Sequence, residues 1–134
     1  MKDSTVDIDL SFTGKDLDTF AKALNGLPKL GFRIDYFNDG DIFGITLPDG
    51  YLKKSIPIKK FKRIELRALS PIDIVITKIG RLNDRDKQDI NSCIKRFRLS
   101  ENQIRKRANQ VQLAGGEEQY RANLTLILNA VFHR

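Results

Sequence analysis

The sequence contains no tryptophan, one cysteine and one histidine. A lone thiol, Cys93, cannot close an internal disulfide, which excludes the disulfide-stapled secreted class. The same scarcity excludes a cysteine-built metal site, and His133, next to the end, excludes a histidine-rich one. No apolar run approaches the roughly 20 residues that a membrane span needs. Met1-Lys2-Asp3-Ser4-Thr5 opens onto no signal-peptide stretch. A reducing cytoplasm is the expected compartment, with no membrane partner.

What is present is 134 residues, 40% hydrophobic and 31% charged. That length suits one domain over residues 1–134, which typically buries about two-thirds of its unfolded surface. The net charge of +7 (24 basic, 17 acidic) is unevenly placed. Residues 1–50 carry 5 basic and 9 acidic side chains, a local −4, and residues 64–134 carry 13 against 8, a local +5. Between them, residues 51–63 hold six bases (Lys53, Lys54, Lys59, Lys60, Lys62 and Arg63) and no acid. An acidic head on a basic body suits an anionic ligand such as a nucleotide, RNA or an acidic protein; a solvated surface with a chance excess is the alternative.

The hydrophobic pattern changes period along the chain. Val6, Ile8 and Leu10 alternate with Asp7, Asp9 and Ser11 as in a half-buried strand. Asp16 to Asn25 reads as a helix with Leu17, Phe20, Ala21 and Leu24 on one stripe, stopped by Gly26 and Pro28. Phe32, Ile34 and Tyr36 alternate again, and an Asn-Asp-Gly-Asp turn at 38–41 leads to a strand around Ile42–Leu47. Pro57 marks Ile56–Ile58 as an edge or bulged strand, and Ile64, Leu66 and Ala68 suggest the last one. From Ser70 the period becomes helical. Ser70-Pro71 opens a helix that Gly80 is expected to end, a second runs from about Asp84 to Phe97, a third from Ser100 to about Leu113, and a fourth from Glu117 to about Phe132. The expected fold is α+β: a small mixed sheet of about four or five strands with an early helix (residues 1–69), then a helical half (residues 70–134).

Asp7 and Asp9 stand two apart, hence on one face of their strand. Aspartate is a poor strand former and like charges on one face repel, so the pair fits a cation site. Hard Mg²⁺ takes a few carboxylate oxygens and leaves positions for water and phosphate. A wet, acidic outer face explains the same spacing without a site.

Thr5-Val6-Asp7-Ile8-Asp9-Leu10, followed by a loop and a helix, resembles the metal-binding strand of the polymerase-beta-like nucleotidyltransferase superfamily. Residues 69–81, Leu-Ser-Pro-Ile-Asp-Ile-Val-Ile-Thr-Lys-Ile-Gly-Arg, resemble a helix of uncharacterised prokaryotic nucleotidyltransferase-like proteins. Arg85-Asp86-Lys87-Gln88-Asp89-Ile90 resembles the helix that follows it there, and abortive-infection toxin nucleotidyltransferases carry a similar Lys and R-D-x-x-D. The resemblance covers residues 5–97.

It implies an enzyme that transfers NMP from an NTP to RNA (tRNA) or protein, within a toxin–antitoxin pair, or an inactive binding module of the same fold. Asp7 and Asp9 would hold Mg²⁺. Glu65 would be the third carboxylate, with Asp35 the alternative, and Lys78 would point a cation at phosphate. Asp86 or Asp89 would orient Lys78 or complete the pocket, and Arg81 or Arg85 could touch phosphate. Against these roles, Lys78 also fits a snorkelling surface residue and Arg85–Asp89 an exposed helical pair. The superfamily's upstream Gly-Ser turn has no counterpart, since six residues precede Asp7 and the first glycine is Gly14. The chain therefore reads as N-terminally short, either truncated or reduced.

Other patterns add little. Cys93 reads as a small buried hydrophobe, no Ser-His-Asp set is available, and Gly115-Gly116 lacks the strand and Lys of a P-loop. Lys95, Arg96, Arg98, Arg105, Lys106 and Arg107 form a candidate phosphate-contact surface. Sequence-specific DNA binding is not expected.

Overall fold

The structure, a computed structural model, describes residues 7–12, 14, 17–26, 33–38, 40–42 and 44–133. Val6, Asp16, Pro28, Phe32 and Asp39, which enter the sequence reading, lie outside them. The fold is α+β, with an early helix, three small sheets and a helical C-terminal half.

Strand β1 (Asp7–Phe12), helix α1 (Leu17–Asn25) and strand β2 (Arg33–Asn38) form a β-α-β unit. The two strands pair in parallel, an arrangement that needs a crossover, and α1 supplies it. Phe12 stacks on Phe20 of α1 with ring centroids 4.4 Å apart, so the helix lies over the Phe12 end of the face that bears Ile8, Leu10 and Phe12, and Ile8 at the other end is exposed. Asp9 and Ser11 take the other face.

The expected strand over 42–47 is two short ones, β3 (Asp41–Ile42) and β4 (Ile45–Thr46), joined in an antiparallel hairpin. Gly44 in the connection has φ +76°, a left-handed value that glycine tolerates. A one-turn helix α2 (Tyr51–Lys54) leads to the antiparallel pair β5 (Ile56–Lys60) and β6 (Glu65–Ala68), whose register slips between Pro57 and Lys59. Pro57 has no N–H for a ladder, which accounts for the slip.

Four helices complete the chain: α3 (Pro71–Arg81), α4 (Asp84–Phe97), α5 (Glu101–Ala108) and α6 (Glu117–Phe132), with β7 (Gln112–Leu113) before the last. Three start as their sequences dictate. The side chains of Ser70, Asn83 and Ser100 accept hydrogen bonds from the amides of Asp73, Asp86 and Gln103, and the latter two are full capping boxes.

Two boundaries differ from expectation. Helix α3 runs through Gly80 to a left-handed Leu82 at φ 47°. A Cβ on Gly80 would come within 2.6 Å of Ile45 Cδ1, so this glycine serves close approach of β4 rather than termination. Helix α5 stops at Ala108, and Leu113 joins β7, which pairs with β4 and packs against the core. The core itself is centred on α3. Val75, Ile76 and Ile79 are fully buried against Ile42, Ile45, Ile90, Ile104 and Leu128. Tyr120 donates to Ile76 O at 2.8 Å and Asn123 to Ile79 O at 2.9 Å, fixing α6 across α3. Arg107, read as a surface contact, is instead buried and bidentate to buried Asp73 (2.7 and 3.0 Å), tying α5 to the start of α3.

Candidate active site

The first group of site residues lies on the β-α-β unit. Parallel register sets Asp9 opposite Asp35, Asp7 opposite Arg33 and Ser11 opposite Phe37. Alternation therefore puts Asp9 and Asp35 on the face away from α1. Asp9 is exposed and Asp35 half-buried. Ser11 Oγ accepts the amide of Gly40 at 2.9 Å, so the segment after β2 folds over the end of this face. Glu65 lies elsewhere by strand pairing. It sits exposed on β6, hydrogen-bonded to β5, with its carboxylate held by Arg67. Of the two candidates for a third carboxylate, Asp35 is the one on the strand that runs beside β1. Its signal in the sequence was an aspartate between Ile34 and Tyr36, the same pattern as Asp9 between Ile8 and Leu10.

The second group forms where α3 turns into α4. The left-handed Leu82 and the Asn83 cap reverse the chain, bringing the last turn of α3 against the first turns of α4. Lys78 Nζ reaches Asp89 Oδ2 at 2.9 Å and Asp86 Oδ1 at 3.4 Å. Arg81 grips Asp86 with two donors, at 2.8 and 2.9 Å. Asp86 also accepts the Asn83 amide at 3.2 Å. Burial by itself would push the Asp86 carboxyl up. The Arg81 hydrogen bond, the Asn83 amide and the charges of Arg81 and Lys78 outweigh burial and hold it below its ordinary value.

Lys78 keeps 26% of its side chain exposed and Arg81 48%, so both cations reach solvent while Asp86, at 1%, is covered and Asp89 is half-buried. Lys78 is thus a clamped cation and not a loose surface lysine. Asp89 pairs with Lys78, while Arg85 is exposed on α4. Cys93, next along this face, is half-buried, its thiol 3.5 Å from Pro71 O and pushed up by burial.

Among the described residues no group of three or more His, Cys, Asp and Glu side chains is placed to share a metal ion. The donors at Asp9 and Asp35 are hard carboxylate oxygens on one sheet face, a set that suits Mg²⁺ in kind. No helix of the described residues is long and apolar enough to cross a membrane.

The structure thus sets paired acids on a β-α-β strand pair and, further along the chain, a Lys of one helix clamped by the aspartates of the next. The chain belongs to the family described as "Nucleotidyltransferase of unknown function (DUF6036)", whose family model matches residues 1–132. No curated protein and no solved structure matches it.

Proposed function

We propose that this chain binds an NTP with Mg²⁺ and transfers the NMP to an acceptor hydroxyl on RNA or protein. The register that sets Asp9 opposite Asp35 carries this reading. Adjacent strands thereby bring two hard carboxylates side by side, the donor type that a divalent cation takes. Asp7, Asp9 and Asp35 are the metal-holding residues of the proposal, with Asp35 taking the role first given to Glu65. Bound there, Mg²⁺ supplies charge stabilisation for the transferred phosphoryl group and a lower pKa for the acceptor hydroxyl.

The chain's own cations do the rest. Lys78 donates to phosphate oxygens from a position that Asp86 and Asp89 hold, and Arg81 and Arg85 add charge at the same end of α3 and α4. Asp86 is a positioning residue, since its oxygens are already committed to Arg81, Lys78 and Asn83. The similarity of Lys78 and Arg85–Asp89 to abortive-infection toxin nucleotidyltransferases extends the proposal to one half of a toxin–antitoxin pair.

The test is transfer of label from α-phosphate-labelled NTPs to RNA or protein in the presence of Mg²⁺. Transfer is expected for the wild type and absent for Asp9→Asn and Asp35→Asn. Undiminished transfer by both variants would contradict the assignment.

A further inference from the structure

The β5–β6 hairpin combines two features that the transfer chemistry does not use. Lys53, Lys54, Lys59, Lys60, Lys62 and Arg63 are all exposed on it or beside it. Its large apolar side chains are exposed too: Ile58 59%, Ile64 50% and Phe61 49%. The Phe61 amide donates to Ile64 O at 2.7 Å, closing a tight turn with Lys62 and Arg63 at the tip. Lys59 Nζ lies 5.2 Å from the centre of the Phe61 ring. Glu65, the one carboxylate on the hairpin, is neutralised by Arg67, which is itself bound to Ser55 Oγ and Ser55 O. The competing basic surface at residues 95–107 is partly spent internally, since Arg107 is buried on Asp73 and Arg105 is paired with Glu101 at 2.8 Å.

We infer that this hairpin grips single-stranded RNA, its lysines and Arg63 along the phosphates and Phe61 against a base. Five of its six cations are lysine, a residue depleted from protein–protein interfaces but at home on phosphate. An exposed ring set among cations is the usual platform for an unpaired base. Two copies of this hairpin would set like charges face to face, which disfavours self-association here. The inference deepens the proposed function by naming the acceptor's class, and it rests on that reading only for the claim that the bound RNA is the acceptor.

Fluorescence anisotropy with a mixed-sequence RNA of about 20 nucleotides, longer than one such site needs, tests it across a salt series. Wild type should bind with log K falling steeply against log[NaCl]. The reversal Lys59→Glu/Lys60→Glu/Lys62→Glu/Arg63→Glu should weaken binding more than about 10-fold and flatten the slope by about 2–3. Phe61→Ala should weaken it about 5-fold or more with the slope kept. Reversal of Lys95, Arg96 and Arg98 to Glu, away from the hairpin, should leave affinity within about twofold. The inference is overturned if wild type does not bind, if the hairpin reversal leaves affinity unchanged, or if only the 95–98 reversal abolishes it. It is equally overturned if the hairpin binds phosphatidylglycerol-containing vesicles and not RNA. Circular dichroism confirms that each variant is folded. Titration with Mg²⁺ and NTP separates the two readings: loss of RNA binding with NTP binding kept isolates the hairpin, and RNA binding without NTP binding leaves the hairpin standing and removes the transferase.

Discussion

Asp86 caps a helix and neutralises two cations at once. Its removal in Asp86→Ala strips α4 of its capping box and leaves Arg81 and Lys78 without their shared partner. A loss of about 2–3 kcal/mol is expected in urea unfolding, below a full buried-pair penalty because both cations reach solvent. The Asp86 pKa is lowered in the folded state from 3.8, so its contribution is present above about pH 4 and fades as the pH falls through the lower folded value. Acid titration of stability should therefore be shallower in Asp86→Ala than in wild type.

Asp73 and Arg107 behave differently because both are buried. Asp73→Ala alone should cost about 3–5 kcal/mol, while Asp73→Leu with Arg107→Met should recover most of it, as measured by thermal unfolding. The structural core residues and the candidate site residues were unevenly legible. Asp7, Asp9, Lys78, Asp86 and Asp89 stand out by type and spacing. Choosing Asp35 over Glu65 required knowing which strand lies beside β1, and Arg107 looked like its exposed neighbours because nothing local reveals a partner 34 residues away.

At the scale of elements, capping chemistry was readable and two-residue strands were not. Ser70 and Ser100 open their helices by side-chain hydrogen bonds within four residues, so the sequence alone places those two starts, and the Asn83 cap of α4 follows the same local chemistry. Strands β3, β4 and β7 are two residues each, too short to show a period, and Leu113 continued an apolar pattern that reads equally well as helix. Gly80 was misleading for a related reason: a glycine near a helix end suggests a stop, and here it admits Ile45 instead.

The true ends of α3 and α4 fall on Leu82 and Arg98, both left-handed without being glycine. Arg98 is exposed, so Arg98→Gly should relieve that backbone at little other cost and raise stability by about 1 kcal/mol in thermal unfolding. Leu82 is buried, so Leu82→Gly should gain little or lose, because apolar packing goes with the strain.

Across the whole molecule, charge and chemistry are separated by region. The candidate metal-holding acids lie on the β-α-β unit, the clamped cations on α3 and α4, and a run of exposed lysines on and beside the β5–β6 hairpin. A protein that handles a nucleotide needs a place for the metal, a place for the phosphates and a place for the acceptor, and this division supplies a candidate for each. Family membership places the chain among nucleotidyltransferases; the particular division of labour is the proposal.

Isothermal titration of Mg²⁺ with each NTP into wild type, Asp9→Asn, Asp35→Asn, Glu65→Gln and Lys78→Ala tests it most directly. Mg²⁺-dependent binding of at least one NTP is expected, which both aspartate variants abolish, which Lys78→Ala weakens by about 10-fold through the lost charged contact, and which Glu65→Gln leaves intact. Binding retained in Asp9→Asn and Asp35→Asn, or lost in Glu65→Gln alone, would contradict it.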